Sequence, residues 1–213
     1  MNATQIIAIR HGETDWNVDA RLQGHTDIPL NNTGLWQAQQ MASALADESF
    51  AHIYSSDLSR AFVTAQALAD RNGAPLSRDA RLRERCFGDY EGQRFVDIEA
   101  SDPVAAQRWR KREPDFAPPG GESLEVLQAR IAQAVYALAS QHQGRQIALV
   151  AHGGVLDTLY RLATHQCLQA PRTWELANTS INRLLWTPDS GLTLVGWGDT
   201  SHLQQVGLDE VSH

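Results

Sequence analysis

Two histidines and two arginines stand where the chain leaves short apolar runs. Arg10-His11 closes the run Ile6-Ile7-Ala8-Ile9, and His152-Gly153-Gly154 closes Ile147-Ala148-Leu149-Val150-Ala151. Arg60 follows a weaker run, His52-Ile53-Tyr54-Ser55, at the start of a helical pattern. Imidazole is a nucleophile and proton carrier near neutral pH. Guanidinium presents a planar fork that matches phosphate oxygens two at a time. The four groups together would make a compact positive pocket whose natural guest is a phosphoryl group. Such a pocket is a local exception, because the 213 residues carry a formal charge of −7. That balance argues against non-specific binding to nucleic acid or to an anionic membrane.

The four groups meet only if the elements that carry them bring them together. Runs of four or five residues that are apolar on both faces predict central strands of a parallel sheet. Ligands of such sheets bind outside the carboxyl ends of the strands. Neighbouring strands at Ile6–Ile9 and Ile147–Ala151 therefore aim His11 and His152 into one crevice. Helical spacing links Leu35, Ala38, Ala42 and Leu45 after Thr33-Gly34, with Thr33 as a candidate N-cap. It links Ala61, Ala65 and Leu68 after Ser59, and Leu156, Leu159 and Leu162 after His152. The clearest stripe is Leu124, Leu127, Ile131, Ala134 and Leu138, opened by Ser123 as N-cap. Ile181–Trp186 and Leu192–Trp197, separated by Pro188-Asp189-Ser190-Gly191, read as a strand pair.

Strands alternating with helices predict an α/β fold, a three-layer α/β/α sandwich with a mostly parallel central sheet. The expectation is one domain over residues 1–213, without repeats or linkers. At 42% hydrophobic residues the chain is not broadly disordered. From about Gly92 to Pro119 the rhythm breaks, with Pro103, Pro114, Pro118 and Pro119 and the basic run Arg108-Trp109-Arg110-Lys111-Arg112. This stretch is too short for its own core and reads as a partly helical excursion capping the substrate side. The basic run reads either as a cover for a second anionic group on the substrate or as a solvated helix face. The solvated face is favoured, since Lys111 is the only lysine among 18 basic residues and arginine enrichment is general.

The motifs resemble, nearly end to end, those of the histidine phosphatase superfamily, the phosphoglycerate-mutase-like fold. Arg10-His11-Gly12-Glu13-Thr14 with Trp16-Asn17 resembles the signature, and Gln23-Gly24-His25-Thr26-Asp27-Ile28-Pro29-Leu30 the substrate loop. Thr33-Gly34 with Gln37-Ala38 resembles the first helix. Tyr54-Ser55-Ser56-Asp57-Leu58-Ser59-Arg60-Ala61 with Thr64-Ala65 resembles the second-arginine motif. Leu82-Arg83-Glu84 with Gly88-Asp89-Tyr90-Glu91-Gly92 is similar to the acid loop. Gly120-Gly121-Glu122-Ser123 precedes the long helix, Val150-Ala151-His152-Gly153-Gly154 resembles the second-histidine motif, and Asn178-Thr179-Ser180-Ile181 the closing strand.

The resemblance implies a phosphohistidine on His11, with Arg10, Arg60 and His152 stabilising the transferring group and Asn17 adding a neutral donor. Gln23, Gly24 and Gly153 complete the phosphate-binding set. Glu84 supplies the leaving group with a proton, so it must be protonated for the first step through burial or a nearby dianion. No metal and no cofactor is required, because guanidiniums and imidazoles carry the charge. The partner implied is a small phosphorylated metabolite.

Three activities share this set. The first is a metal-independent phosphomonoesterase of the histidine acid phosphatase type. The second is a phosphoglycerate mutase, which needs 2,3-bisphosphoglycerate as phosphoryl primer. The third is a non-catalytic phospholigand-binding protein, disfavoured because all the catalytic positions are filled. Gly88-Asp89-Tyr90-Glu91-Gly92 and an end at His213, without an extended tail, favour the phosphatase branch. The substrate is left open, as is a homodimer. The other histidines, His25, His52, His142, His165, His202 and His213, show no metal spacing and are expected to be mostly solvated, with His25 lining the substrate loop. Cys86 and Cys167 make no disulfide framework, and Cys86 is expected to be a buried inert thiol. No targeting or membrane-spanning stretch is visible, which predicts a cytoplasmic protein. A loosely ordered tail is expected from about Ser201.

Overall fold

The computed structural model describes residues 2–204. In chain order the elements are β1 (Thr4–Arg10), α1 (Asp15–Val18), α2 (Asn32–Ala44), β2 (His52–Ser55), α3 (Ser59–Asn72), β3 (Leu76–Arg78), α4 (Phe95–Ser101) and α5 (Pro103–Arg110). They continue with α6 (Leu124–Ser140), β4 (Gln146–Ala151), α7 (Gly153–Thr164), β5 (Ile181–Thr187) and β6 (Gly191–Asp199). Three short 3₁₀ turns lie at Ala80–Leu82, Gly88–Tyr90 and Ser201–Leu203.

The six strands form one sheet in the order β3-β2-β4-β1-β5-β6. The first four run parallel, and β5 and β6 run antiparallel at the edge. Alternation along β1 explains the layers. Ile6 and Ala8 pack with Leu127, Ile131, Leu156 and Leu159 of α6 and α7. Ile7 and Ile9 pack on the other face with Met41, Ala61, Ala65 and Leu68 of α2 and α3. Both sets are buried, so the strand has no polar face and the sheet is filled on both sides. Each buried isoleucine stabilises this arrangement by about 2 kcal/mol.

β1 and β4 end flush, with Ile6 opposite Ile147 and Arg10 opposite Ala151. The next amide, His11 N–H, donates to Ala151 O at 3.0 Å. Register alone therefore delivers residues 11 and 152 side by side.

Several local expectations are corrected. Thr33 is not the cap of α2. Asn31 is, its Oδ1 accepting from Gly34 N at 2.8 Å; the helix begins at Asn32, which puts Thr33 inside its first turn rather than before it. Ser59 is the first residue of α3, and both its N–H and its hydroxyl donate to Asp27 Oδ1 at 2.8 Å. Ser123 does cap α6, accepting from Val126 N at 3.2 Å. β3 was not legible, because three half-exposed residues at a sheet edge carry no periodic signal. Ser201–Leu203 is an ordered turn rather than a loose tail, and the rest of that expected tail, 205–213 with His213, lies outside the described residues.

The solvated reading fails for three histidines. His52 stacks on Tyr54 at 4.2 Å between ring centroids and bonds Ser77 Oγ, while Tyr54 Oη meets His142 Nε2 at 2.9 Å. His202 Nε2 lies 3.3 Å from Thr179 Oγ1. A ring with an apolar face and polar edge packs as readily as it hydrates. Cys86 is half-buried rather than buried, because the turn that carries it lies at the surface, and Cys167 is exposed.

The excursion has no core wholly its own: Ile98, Ala105, Trp109 and Phe116 pack in a small satellite cluster with Leu22, Phe87 and Tyr90 from outside it. Asp102 caps α5 by accepting from Ala105 N, with Pro103 at the first position. The basic run divides. Arg108 pairs with Glu113 at 2.5 Å and Arg110 with Glu99, both at the surface. Arg112 turns inward to Asp157 at 2.7 Å. No described helix is long and apolar enough to cross a membrane.

Candidate active site

His11 follows β1 and is 3% exposed. Its Nδ1 bonds Gly12 O at 2.7 Å, so Nδ1 carries the proton and Nε2 keeps its lone pair. Burial first, then the Arg10 and Arg60 charges, hold its pKa well below the ordinary value of 6.5, with the Gly12 bond opposing. The His152 ring lies 5.2 Å away, centroid to centroid. It is fully buried, and neither ring nitrogen has a hydrogen-bond partner among the described residues. Burial, Arg60 and His11 push its pKa well down too. Both rings are therefore neutral at neutral pH.

Gly12 is held from two sides. Its N–H donates to Thr64 Oγ1 at 3.0 Å, and that hydroxyl donates to Arg60 O at 2.8 Å, linking α3 to the end of β1. A Cβ at residue 12 would lie 2.4 Å from Gly34 O, a backbone atom that no rotamer change can move. Gly12→Ala is expected to push the His11 loop from α2, lowering kcat about a hundredfold and destabilising the fold by about 2 kcal/mol. Kinetics with a thermal melt check this, and wild-type values in both would contradict it.

Arg60 is the second residue of α3 and is fully buried. It donates to Thr26 O at 2.9 Å and Gly24 O at 2.8 Å, pinning the 23–27 loop, while its Nε has no partner among the described residues. Arg10 donates through Nη1 to Leu176 O, and its Nε is likewise without a partner among the described residues. Burial lowers both guanidinium pKa values, with Glu84 opposing, yet a guanidinium keeps its proton in either case. Asn17 Oδ1 accepts from Thr14 N and Oγ1, both at 3.1 Å, and from Asn178 Nδ2 at 3.3 Å. That leaves its own amide hydrogens free to donate.

Glu84 receives the Gly154 N–H on both oxygens at 3.0 Å and the Arg85 N–H at 2.8 Å. As placed, it is an acceptor. Gly154 must be glycine for this, since a Cβ there would lie 2.2 Å from Glu84 Oε1.

His11, Arg10, Asn17, Gln23, Gly24, Arg60 and Glu84 line one cavity of about 180 Å³. Gly153 lines a second of about 360 Å³, which shares Arg10 and Phe87 with the first. His25 lies outside both, with Nε2 on Glu84 O at 2.9 Å and its N–H on Glu91. Glu91 also accepts from Thr26 and Phe87, tying the 23–27 loop to the acid loop. The described residues include no cluster of three His, Cys, Asp or Glu able to hold a metal ion.

Sequence reasoning missed Asn178, which donates to His11 O at 2.9 Å, and the Leu176 carbonyl that holds Arg10. Asn178 lay inside a matched motif, which was its only signal. It also missed the arginines of the second cavity, Arg85 and Arg172.

Parallel strands whose carboxyl ends carry paired histidines between buried arginines define a protein of the phosphoglycerate-mutase-like α/β class. The profile of the histidine phosphatase superfamily, branch 1, matches residues 6–200, and the chain belongs to that superfamily. It is 38% identical over 207 residues to phosphoglycerate mutase-like protein 4 of Arabidopsis thaliana, covering 96% of this chain and 89% of that one. It is 35% identical over 208 residues to the metal-independent phosphoserine phosphatase of the same plant, covering 96% and 85%. A solved mycobacterial glucosyl-3-phosphoglycerate phosphatase, complexed with VO3, superposes with a TM-score of 0.83 at 34% identity, covering 92% of this chain and 99% of that one.

Proposed function

We propose that this chain is a metal-independent phosphomonoesterase of the acid phosphatase type, acting through a phosphohistidine on a small phosphorylated metabolite. The observation that carries this reading is the His11 ring, proton fixed on Nδ1 by Gly12 O and Nε2 free beside a cavity lined by two guanidiniums. Relatives named as phosphatases of phosphoserine and of glucosyl-3-phosphoglycerate support it.

In the first step the Nε2 lone pair attacks phosphorus and the P–O ester bond breaks. The leaving alkoxide takes a proton from Glu84. Arg10, Arg60, Asn17 and one ring N–H of His152 meet the equatorial oxygens, where charge accumulates. In the second step the ionised Glu84 accepts a proton from water, whose oxygen attacks phosphorus. The N–P bond breaks, releasing phosphate and restoring the neutral ring. The His11 and His152 donor geometry and the arginine charges supply the electrostatics, so no metal or other cofactor takes part.

Hydrolysis of p-nitrophenyl phosphate is expected to persist undiminished in chelator. Loss in chelator with recovery on adding magnesium would contradict the scheme. The nucleophile must be deprotonated, and its pKa is depressed below 6.5, so it stays reactive as the pH falls through that value. The acidic limb of kcat/KM, corrected for substrate ionisation, is expected below pH 6.5, the ordinary histidine value. A limb centred above that value would contradict the burial argument. Given 3-phosphoglycerate primed with 2,3-bisphosphoglycerate, the chain is expected to release inorganic phosphate. Accumulation of 2-phosphoglycerate without phosphate would instead assign it as a mutase.

A further inference from the structure

Thr179 lines neither cavity and has no role in the two steps above, yet its backbone lies in the left-handed region, with φ of 53°. Four non-glycine residues among those described have positive φ, and Thr179 alone of them is β-branched and fully buried. With Asn178 it forms the centre of a turn closed by Ser180 N–H, which donates to Ala177 O at 3.2 Å. Left-handed backbone at such a turn ordinarily calls for glycine or asparagine. A β-branched residue persists there only where its surroundings hold it, and such outliers gather at functional sites.

The conformation sets the Thr179 N–H between two carbonyls, Arg10 O at 3.0 Å and His11 O at 3.4 Å. The Asn178 amide adds a further bond, Nδ2 to His11 O at 2.9 Å. The His11–Gly12 peptide is thereby fixed at both ends, since Gly12 N–H is held by Thr64. Only with that peptide fixed does the torsionally free Gly12 keep its own carbonyl on His11 Nδ1. That bond decides which ring nitrogen is left with a lone pair. On its other side the Thr179 hydroxyl meets His202 Nε2 at 3.3 Å. His202 sits in the half-exposed turn Ser201–Leu203. Asp199 ties that turn down, its Oδ1 accepting from Ser201 N at 2.9 Å and Ser201 Oγ at 2.7 Å.

We infer that Thr179 is a positioning residue for the nucleophile, locked in its strained conformation by His202, and that this pair fixes the tautomer of the His11 ring. The inference rests on the phosphatase reading and adds to it two residues that line neither cavity. Without the hydroxyl contact the backbone relaxes toward an ordinary β-branched conformation, and its N–H turns away from Arg10 O and His11 O. The Gly12 carbonyl then loosens from Nδ1, and the ring proton redistributes to Nε2, where it blocks attack. The guanidiniums keep their own anchors at Leu176, Gly24 and Thr26, so the loss falls on the chemical step rather than on binding.

In Thr179→Val, which keeps the shape and loses the hydroxyl, kcat for p-nitrophenyl phosphate is expected to fall about tenfold while KM moves less than about twofold. Thr179→Ser, which restores the hydroxyl, recovers most of the loss. His202→Ala matches the valine variant, and the double variant is no worse than either single one, because both remove the same contact. ¹⁵N NMR, with the His11 signals assigned by their absence in His11→Ala, shows Nδ1–H in the wild type and a shift of the proton toward Nε2 in both variants. Should the valine variant fail to fold, His202→Ala carries the test alone, since its turn is only half-buried. Wild-type kcat in either single variant, losses that multiply in the double one, no recovery in serine, a change confined to KM, or an unchanged ring tautomer would overturn the inference. The ring spectrum needs no substrate, and wild-type hydrolysis of p-nitrophenyl phosphate reports on the phosphatase reading alone, so the two failures are distinguishable.

Discussion

His11→Ala is expected to lower kcat for p-nitrophenyl phosphate by about ten-thousand-fold or more, the scale seen when an activated nucleophile is removed. The ring is replaceable in no other way. Its neighbour His152 is equally buried, but its ring lies 5.2 Å off, centroid to centroid, and a nucleophile displaced by that much does not replace a positioned one. The variant should keep its fold, because the ring's only direct bond is to the Gly12 carbonyl next to it. Substrate affinity should change far less than kcat, since both arginines remain. Circular dichroism and a thermal melt establish folding, and steady-state rates establish the loss. A folded variant retaining a tenth of the activity would show that His11 is not the nucleophile.

Arg60→Ala carries the second largest expected effect, and two causes combine in it. The guanidinium charge beside the phosphoryl cavity disappears, which alone is worth about a thousandfold in phosphoryl transfer. The carbonyls of Gly24 and Thr26 also lose their donors, releasing the loop that carries Gln23. Unsatisfied buried carbonyls cost about 1–3 kcal/mol each, so a drop in melting temperature accompanies the kinetic defect. Arg60→Lys restores charge but cannot serve two carbonyls and the phosphoryl group together, so it is expected to recover less than a tenth of the rate. Full recovery in the lysine variant would show that Arg60 acts as a bare charge rather than as a fork. An unaffected rate in Arg60→Ala would remove it from the mechanism.

The central sheet was legible because its inner strands are apolar on both faces, and the flush ending of β1 and β4 follows once those runs pair. Arg10, His11 and His152 stand at those endings, so their convergence could be read from position. Arg60 was legible for a similar reason, as the second residue of a helix that follows β2. What escaped was set by tertiary contact. β3 has three residues and no pattern. Asn31 displaced Thr33 as a cap because geometry, not residue type, chose between two adequate candidates. Arg85 and Arg172 come from irregular segments, and nothing in their spacing places them beside Arg112. Within residues 108–112, the end of α5 at Arg110 decides. Arg108 and Arg110 face solvent carboxylates, while Arg112, with a positive φ of 51° just past α5, is turned back toward α7.

Glu84 shows a different limit. The motif located the residue, yet its role depends on what shares its oxygens. Without a dianion nearby it receives N–H groups from Gly154 and Arg85. The same contacts fix its carboxyl at the junction of the two cavities, where a departing oxygen would need a proton.

The phosphohistidine reading stands on a covalent bond from the His11 ring to phosphorus. Its test is rapid acid-free quenching of the wild type with a ³²P-labelled phosphomonoester, followed by alkaline proteolysis and peptide mapping. The expected result is one alkali-stable, acid-labile label per chain at burst amplitude, on the peptide containing Arg10-His11-Gly12, and none in His11→Ala. An enzyme that turns over substrate with no trapped label, or with label on any other residue, would contradict it.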